Sequence, residues 1–377
     1  MGIMKIFTLS RQSKEIRHGR IVTRRGALRT PFFLPDATRA SVRGVAPEEL
    51  KRIGIQSMVV NTYHLYLQPG IDIIREAGGV QKFMNWDGPL LSDSGGYQVF
   101  SLIHKNPRMG VITDDGAHFR SVRDGSWHML TPERAIQIQF DLGVDMMVCL
   151  DDPPPNHFTK EQIAVSVSRT ISWAKRCRKE YDQQIFQRKL NEKSRPLLFG
   201  VIQGGEYKEL RRECVEGLSA IGFDGYGFGA RHIDEKGSLM EEVLRYTAAL
   251  ISKDVPRFAL GIGTPKDIVK AASCGWDLFD CVIPTREGRH GRLFLWKDRE
   301  HTTKNDFYET INITNGKYQK EFVPIDTACN CNTCLCYTRA YVHHLFRAKE
   351  LLGQRLASVH NLRFYMTLME QLRQQNI

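Results

Sequence analysis

Eight short apolar runs, none of them alternating with polar residues, set the strongest limit on how this chain can fold. They occupy 31–35, 57–61, 89–92, 146–150, 197–202, 225–229, 257–262 and 278–283. A strand with one wet face alternates, whereas an unbroken run of this length suits a strand covered on both faces, as in a parallel sheet. Helical patterns fill several intervals, and their starts are marked. Thr131-Pro132 and Thr264-Pro265 put a capping hydroxyl before a first-turn proline, and Pro47-Glu48-Glu49 puts acids in a first turn. Segment 159–192 is long, charged and periodic, and reads as one extended helix or two. Strands alternating with helices predict an α/β fold, a (β/α)8 TIM barrel, with a doubly wound sheet as the alternative. The 377 residues exceed the roughly 250 typical of such a barrel and leave room for insertions.

What ends the runs is as informative as the runs. Asn61, Asp93, Asp151 and Gln203 stand at or just past a run's C-terminal end, Gly229 ends another, and Asp280 lies inside the last. In a barrel these ends converge on one face, where active sites sit. Asp280 interrupts an apolar stretch, and a buried carboxylate is costly unless it has a partner or a task. Pro284 ends that run. Arg286, Arg289 and Arg292 follow at a spacing of three, with Gly288 and Gly291 between them. Three arginines on a glycine-rich loop suit a polyanion. Taken alone, 279–292 also reads as a structural aspartate beside a solvated basic turn.

Two other stretches bear on that choice. Asp93-Ser94-Gly95-Gly96-Tyr97-Gln98 sets a carboxylate, two conformationally free glycines and an aromatic in succession, although a turn cap accounts for Asp93 equally well. Gln203-Gly204-Gly205 repeats the pairing of a polar side chain with a permissive loop. An aromatic face with amide and carboxylate groups is how a purine is commonly held. Two carboxylates, one nucleophile and one acid/base, are the equipment for retaining cleavage of a glycosidic bond.

Lys and Arg outnumber Asp and Glu by 53 to 42, a formal charge of +11, so an acidic partner is expected, with nucleic acid ahead of a membrane. No apolar run reaches the roughly 18 residues of a membrane span, and the N-terminus turns polar too early for a signal peptide. A cytoplasmic protein with no membrane partner is the expectation. No glycine-rich phosphate-binding motif is present. Of nine cysteines, Cys149, Cys177, Cys214, Cys274 and Cys281 stand singly, while Cys329, Cys331, Cys334 and Cys336 crowd together. Thiols this close in a cytosolic chain point to zinc rather than to disulfides, with Cys336, His343, His344 and His360 open as the fourth ligand. Four ligands with no open position make such a metal structural.

The stretches NTYHLYLQPG (61–70), SDSGGYQVFSL (92–102), GVIQGG (200–205), GFDGYGFG (222–229), FDCVIPTREGRHGR (279–292) and CNCNTC (329–334), extended by 340–353 and His360, resemble the bacterial tRNA-guanine transglycosylases in order over nearly the whole chain. The resemblance implies a single barrel over 1–377 containing a zinc subdomain at about 310–365. It implies a homodimer that exchanges guanine at the anticodon wobble position of tRNA for a 7-deazaguanine base, through a covalent ribosyl-aspartate intermediate, in queuosine modification. Carried onto this sequence, Asp280 is the nucleophile and Asp93 the second carboxylate, which moves protons on the departing and entering bases. Tyr97 stacks on the base, and Asp151, Gln203, Gly229, Ala230 and Leu260 surround it. Thr285, Arg286 and Arg289 hold the anticodon loop. Cys329, Cys331, Cys334 and His360 bind one structural Zn2+, which leaves Cys336 spare.

Departures from the family pattern are local. Ala230-Arg231-His232 follow Gly229 where a glycine and then a leucine are usual, Asp152-Pro153 replace Glu and Cys, and Leu260 stands where methionine is common. They predict a retained reaction with altered base choice, toward the larger queuine and away from 7-aminomethyl-7-deazaguanine. The rival readings are a non-catalytic zinc-containing tRNA-binding partner subunit and a hydrolase that uses zinc directly. The presence of both carboxylates argues against the first, and the crowded thiolates argue against the second.

Overall fold

Each of the eight apolar runs forms a strand in the computed structural model, which describes residues 5–13, 16–155, 157–229, 232–299 and 306–374. In chain order they are β1 (Phe32–Pro35), β2 (Met58–Val60), β3 (Leu90–Ser92), β4 (Met146–Val148), β5 (Leu197–Ile202), β6 (Gly225–Phe228), β7 (Arg257–Ala259) and β8 (Leu278–Cys281). All lie in one parallel sheet in which each strand pairs with its chain neighbour, and β8 returns to β1 with Asp280 opposite Leu34. Between β1 and β2 the circle closes through a parallel bridge from Asp36 to Val59, where the Ala37 N–H donates to the Val59 carbonyl at 2.7 Å. A closing β8–β1 pair has no counterpart in an open doubly wound sheet, so the barrel expectation holds.

Both faces of the strands are dry, which is why the runs do not alternate. Phe32, Leu34, Val59, Leu91, Met146, Val148, Phe199, Val201, Phe258 and Leu278 pack together inside the barrel. Phe7, Ile21 and Leu28, from the antiparallel strands Phe7–Ser13, Ile16–Thr23 and Gly26–Thr30, join this inner core. The alternate residues Phe33, Val60, Met147, Leu198, Phe228 and Phe279 belong instead to the outer core shared with the helices.

The marked helix starts are real. Thr131 accepts from the Arg134 N–H and Thr264 from the Asp267 N–H, and Glu48 and Glu49 sit in the first turn of Pro47–Ile53. Segment 159–192 resolves into one helix, Lys160–Gln187, capped by Thr159. It buries Ile163, Val167, Thr170, Trp173, Ala174, Cys177 and Tyr181 at spacings of three and four. One expectation fails. Arg286 and Arg289 lie on a short helix, Ile283–Arg289, and Arg292 opens the following strand, rather than all three lying on a glycine-rich loop. Pro284 is tolerated in a first turn. Gly288 serves helix packing, since a Cβ there would stand 2.9 Å from the Ser358 nitrogen in the final helix, Leu351–Gln374. Between β8 and that helix the chain adds the antiparallel pair Arg292–Trp296 and Tyr308–Asn312 and the helices Asn332–Cys336 and Arg339–Arg347. Among the described residues, no helix is long and apolar enough to cross a membrane.

Candidate active site

Strand geometry carries the inward faces of the barrel up to a polar rim. Side chains alternate along a strand, so the step from an inward residue to the next but one finds the last inward layer. It leads from Leu34 to Asp36, Val59 to Asn61, Leu91 to Asp93, Val201 to Gln203, Phe258 to Leu260 and Leu278 to Asp280. All of these except Gln203 line one cleft of about 1000 Å3, joined by Tyr97, Asp151, Gly229, His232 and Arg286.

Asp280 is held at one oxygen by the Gly261 N–H, at 2.8 Å. Burial pushes its pKa up to about 6; the Gly261 hydrogen bond opposes the rise and the nearby Asp36 charge adds to it. Asp93 is tied more fully. One oxygen accepts from the N–H groups of Thr62 at 3.0 Å and Gly95 at 3.1 Å, and the other from the Asn61 amide at 2.5 Å. Burial nevertheless raises its pKa to about 7, with further upward pressure from Asp280 and Asp36. The two carboxylates share a cleft, the charge of Asp280 adds to the rise at Asp93, and burial lifts both above the ordinary carboxylate range. Paired carboxylates raised by burial in one cleft are candidates for acid/base and nucleophile roles.

The remaining sequence expectations divide. Tyr97, in the first turn of helix Gly96–Lys105, is 66% exposed at the cleft, as a stacking platform must be. Asp151 lines the cleft, and burial raises its pKa to about 7. Gln203 is buried and stands behind Asp151, donating its amide to that carboxylate at 2.6 Å. Gly229 leaves space for it, because a Cβ there would lie 2.4 Å from the Gln203 nitrogen. Leu260 lines the cleft. Ala230, with Arg231, falls outside the described residues. Arg286 stands at the cleft, beside Glu287 at 3.3 Å, and Arg289 is half-buried near Arg43. Thr285 is buried with its hydroxyl on the Val282 carbonyl, so its side chain does not face the cleft. The departure at Asp152 also points elsewhere: its carboxylate pairs with Arg169 at 2.6 Å, while the adjoining Pro153 lines the cleft. His232, noted as a departure after Gly229, lines the cleft; Asp36 lines it without having been singled out, and the two-residue step from Leu34 is the signal that finds it.

A second cluster lies away from the cleft. The ligand atoms of Cys329, Cys331, Cys334 and His360 all fall within 4.8 Å of one another. His360 Nε2 donates to the Phe294 carbonyl at 2.7 Å, which leaves Nδ1 as a lone-pair donor facing Cys334 Sγ at 3.2 Å. The other candidate ligands are engaged elsewhere. His343 Nδ1 bonds the Ile313 carbonyl, His344 is exposed, and exposed Cys336 contacts Asn332. Three thiols and an oriented imidazole fit a tetrahedral metal ion with no open position.

A closed parallel barrel with carboxylates free of ion pairs at its C-terminal mouth and, outside it, a Cys3His cluster that could hold a metal ion defines an α/β-barrel enzyme. The sequence model of the queuine tRNA-ribosyltransferase family (TGT) matches residues 12–375. The chain is 43% identical over 357 residues to the queuine tRNA-ribosyltransferase of Halothermothrix orenii, covering 95% of this chain and 89% of that protein. To that of Caldanaerobacter subterraneus subsp. tengcongensis it is 41% identical over 375 residues, covering 99% and 94%, and to that of Bacillus subtilis 42% over 358 residues, covering 95% and 88%. The chain belongs to the queuine tRNA-ribosyltransferase family and is an enzyme of the pentosyltransferase class.

Proposed function

We propose that this enzyme exchanges guanine at the anticodon wobble position of tRNA for a 7-deazaguanine base by double displacement. Asp280, ionised above about pH 6, attacks C1′ of the target nucleotide. A C1′–O bond forms, the C1′–N9 bond breaks, and its electron pair leaves with guanine. Asp93, titrating near pH 7, gives the departing base a proton. It then takes one from the entering base, whose N9 attacks C1′ and releases Asp280. The ester keeps the bond energy, so no nucleotide triphosphate is consumed. Tyr97 stacks on the base, Asp151 binds its edge, Gln203 positions Asp151 from behind, and Gly229 and Leu260 complete the pocket. Arg286 and Arg289 grip the anticodon loop.

The observation that carries this reading is the placement of Asp280 and Asp93 in one cleft, with no lysine or arginine paired to either among the described residues. Incubation with tRNA and labelled guanine is expected to place label at the wobble position, and Asp280→Asn to abolish it. Full exchange by that variant contradicts the reading.

The base inserted is queuine. His232 and Pro153 at the cleft wall, and a cleft volume near the upper end of small-molecule sites, about 300–1,000 Å3, support the larger substituent. Supplying labelled queuine and labelled 7-aminomethyl-7-deazaguanine separately decides it, and incorporation of the aminomethyl base alone overturns it. The Cys3His cluster holds one Zn2+ that tethers 329–334 to the final helix and takes no part in the reaction.

A further inference from the structure

Asp36 has no task in this scheme. It directly follows β1, lines the cleft with Asp280 and Asp93, and lies on the inward face. The Thr38 hydroxyl, 2.6 and 2.7 Å from its two oxygens, and the Thr38 backbone are its hydrogen-bonding neighbours. One hydroxyl has one proton to give, and a carboxylate has about four acceptor sites, so acceptor capacity stays open toward the cleft. No lysine or arginine forms an ion pair with it among the described residues; Arg43 and Arg289 act from further away.

Position gives that open capacity a direction. The strand β1 is the hydrogen-bonded neighbour of β8, with Leu34 opposite Asp280, and Asp36 is two residues further on. Adjacent strands lie about 4.8 Å apart, comparable to the reach across one sugar. Asp93, Tyr97 and Asp151 follow β3 and β4, so the base lies on their side and Asp36 falls on the sugar's side. Inside an RNA chain the 3′-oxygen is esterified, which leaves the 2′-hydroxyl, on the carbon next to C1′, as the nucleotide's only free ribose hydroxyl. Carboxylates recurrently bind ribose hydroxyls. In glycosidic cleavage, hydrogen bonds to the neighbouring hydroxyl strengthen in the transition state.

We propose that Asp36 accepts a hydrogen bond from the 2′-hydroxyl of the ribose that Asp280 attacks, so that it is a substrate-binding residue selecting ribose over deoxyribose. The assignment rests on the nucleophile reading above. The test uses the whole enzyme and two anticodon stem-loops, identical except for a single 2′-deoxyguanosine at the target position. Guanine exchange is measured with wild type, Asp36→Ala and Asp36→Asn. A hydrogen bond to a charged group corresponds to about 10- to 100-fold. Asp36→Ala is expected to lose that factor on the ribose substrate, in kcat more than in KM, and to change little on the deoxy substrate. Asp36→Asn, nearly isosteric and still an acceptor, falls between. Equal losses on both substrates, as expected if Asp36 only positions Arg289 or supports the fold, overturn the proposal. A wild type that exchanges neither substrate overturns the base-exchange reading instead.

Discussion

Three aspartates stand immediately before barrel strands, and four that line the cleft, Asp36, Asp93, Asp151 and Asp280, stand at the opposite ends, and the molecule treats the two sets differently. Asp145, before β4, meets Arg24 at 3.1 Å, Arg25 at 2.8 Å, the Gln81 amide and the Leu90 N–H. Asp224, before β6, takes both forks of Arg195 at 2.7 and 2.9 Å together with the Leu198 N–H. Asp277, before β8, faces Arg17 at 3.0 Å and accepts the Arg257 N–H at 2.8 Å. At the other end, Asp93, Asp151 and Asp280 have amides for partners and no cation within ion-pairing distance among the described residues. The sharpest contrast is Asp277 against Asp280, three residues apart, one just before β8 and one within it. Burial pushes both to a pKa of about 6, so the pKa alone does not separate them. What separates them is the pairing: a buried guanidinium forms an ion pair with one oxygen of Asp277, which also accepts the Arg257 N–H, whereas Asp280 has one N–H, no cation among the described residues, and an open cleft. A buried carboxylate reads as structural where a buried cation neutralises it and as available for chemistry where it faces a cleft without one.

The contrast breaks most visibly under matched substitutions. Asp280→Asn should lower exchange by at least about 10^4-fold, as for an essential nucleophile, with an unchanged melting temperature. Asp277→Ala should do the reverse. Leaving Arg17 buried and unpaired should cost about 3–5 kcal/mol of stability, read by denaturant unfolding, while the folded fraction keeps its turnover. If Asp277→Ala abolishes turnover in protein that remains folded, the division between the two ends is wrong.

Asp93→Asn sharpens the comparison through pH. Adduct formation needs Asp280 ionised and Asp93 protonated, so its rate should rise through about pH 6 and fall through about pH 7. These are apparent values of an interacting pair. The substitution should slow the reaction by about 10^2- to 10^4-fold and remove the falling limb. A profile with that limb intact assigns it to another group. Smaller effects are expected at the rim. Tyr97→Ala should lose about 1–3 kcal/mol of base stacking, visible in the KM for the free base. The least is expected at Cys336, where Cys336→Ser should retain bound metal, whereas Cys331→Ser should lose it; metal content by atomic spectroscopy checks both.

Much of this was legible from residues alone, and the exceptions share a cause. All eight strands were visible because buried parallel strands are continuous apolar runs. That same continuity hides which residues face inward, so Asp36 escaped notice while Gln203 and Thr285 drew attention although their side chains lie behind the cleft surface. Asp152 likewise reads as a pocket departure, but its carboxylate turns to Arg169 on the following helix, Lys160–Gln187. Gly288 looked like loop chemistry and is a close helix contact. The fourth metal ligand could not be chosen from spacing. The choice depends on carbonyls of Phe294 and Ile313, which orient His360 toward the thiols and occupy His343.

The claim that the unpaired carboxylate on β8 is the nucleophile is tested most directly by mapping the covalent adduct. Wild-type enzyme and an anticodon stem-loop are mixed without free base, denatured, digested with nuclease and protease, and examined by mass spectrometry. The account predicts a ribosyl ester on Asp280, absent from Asp280→Asn. An ester on Asp93, or none in a preparation that exchanges guanine, contradicts it.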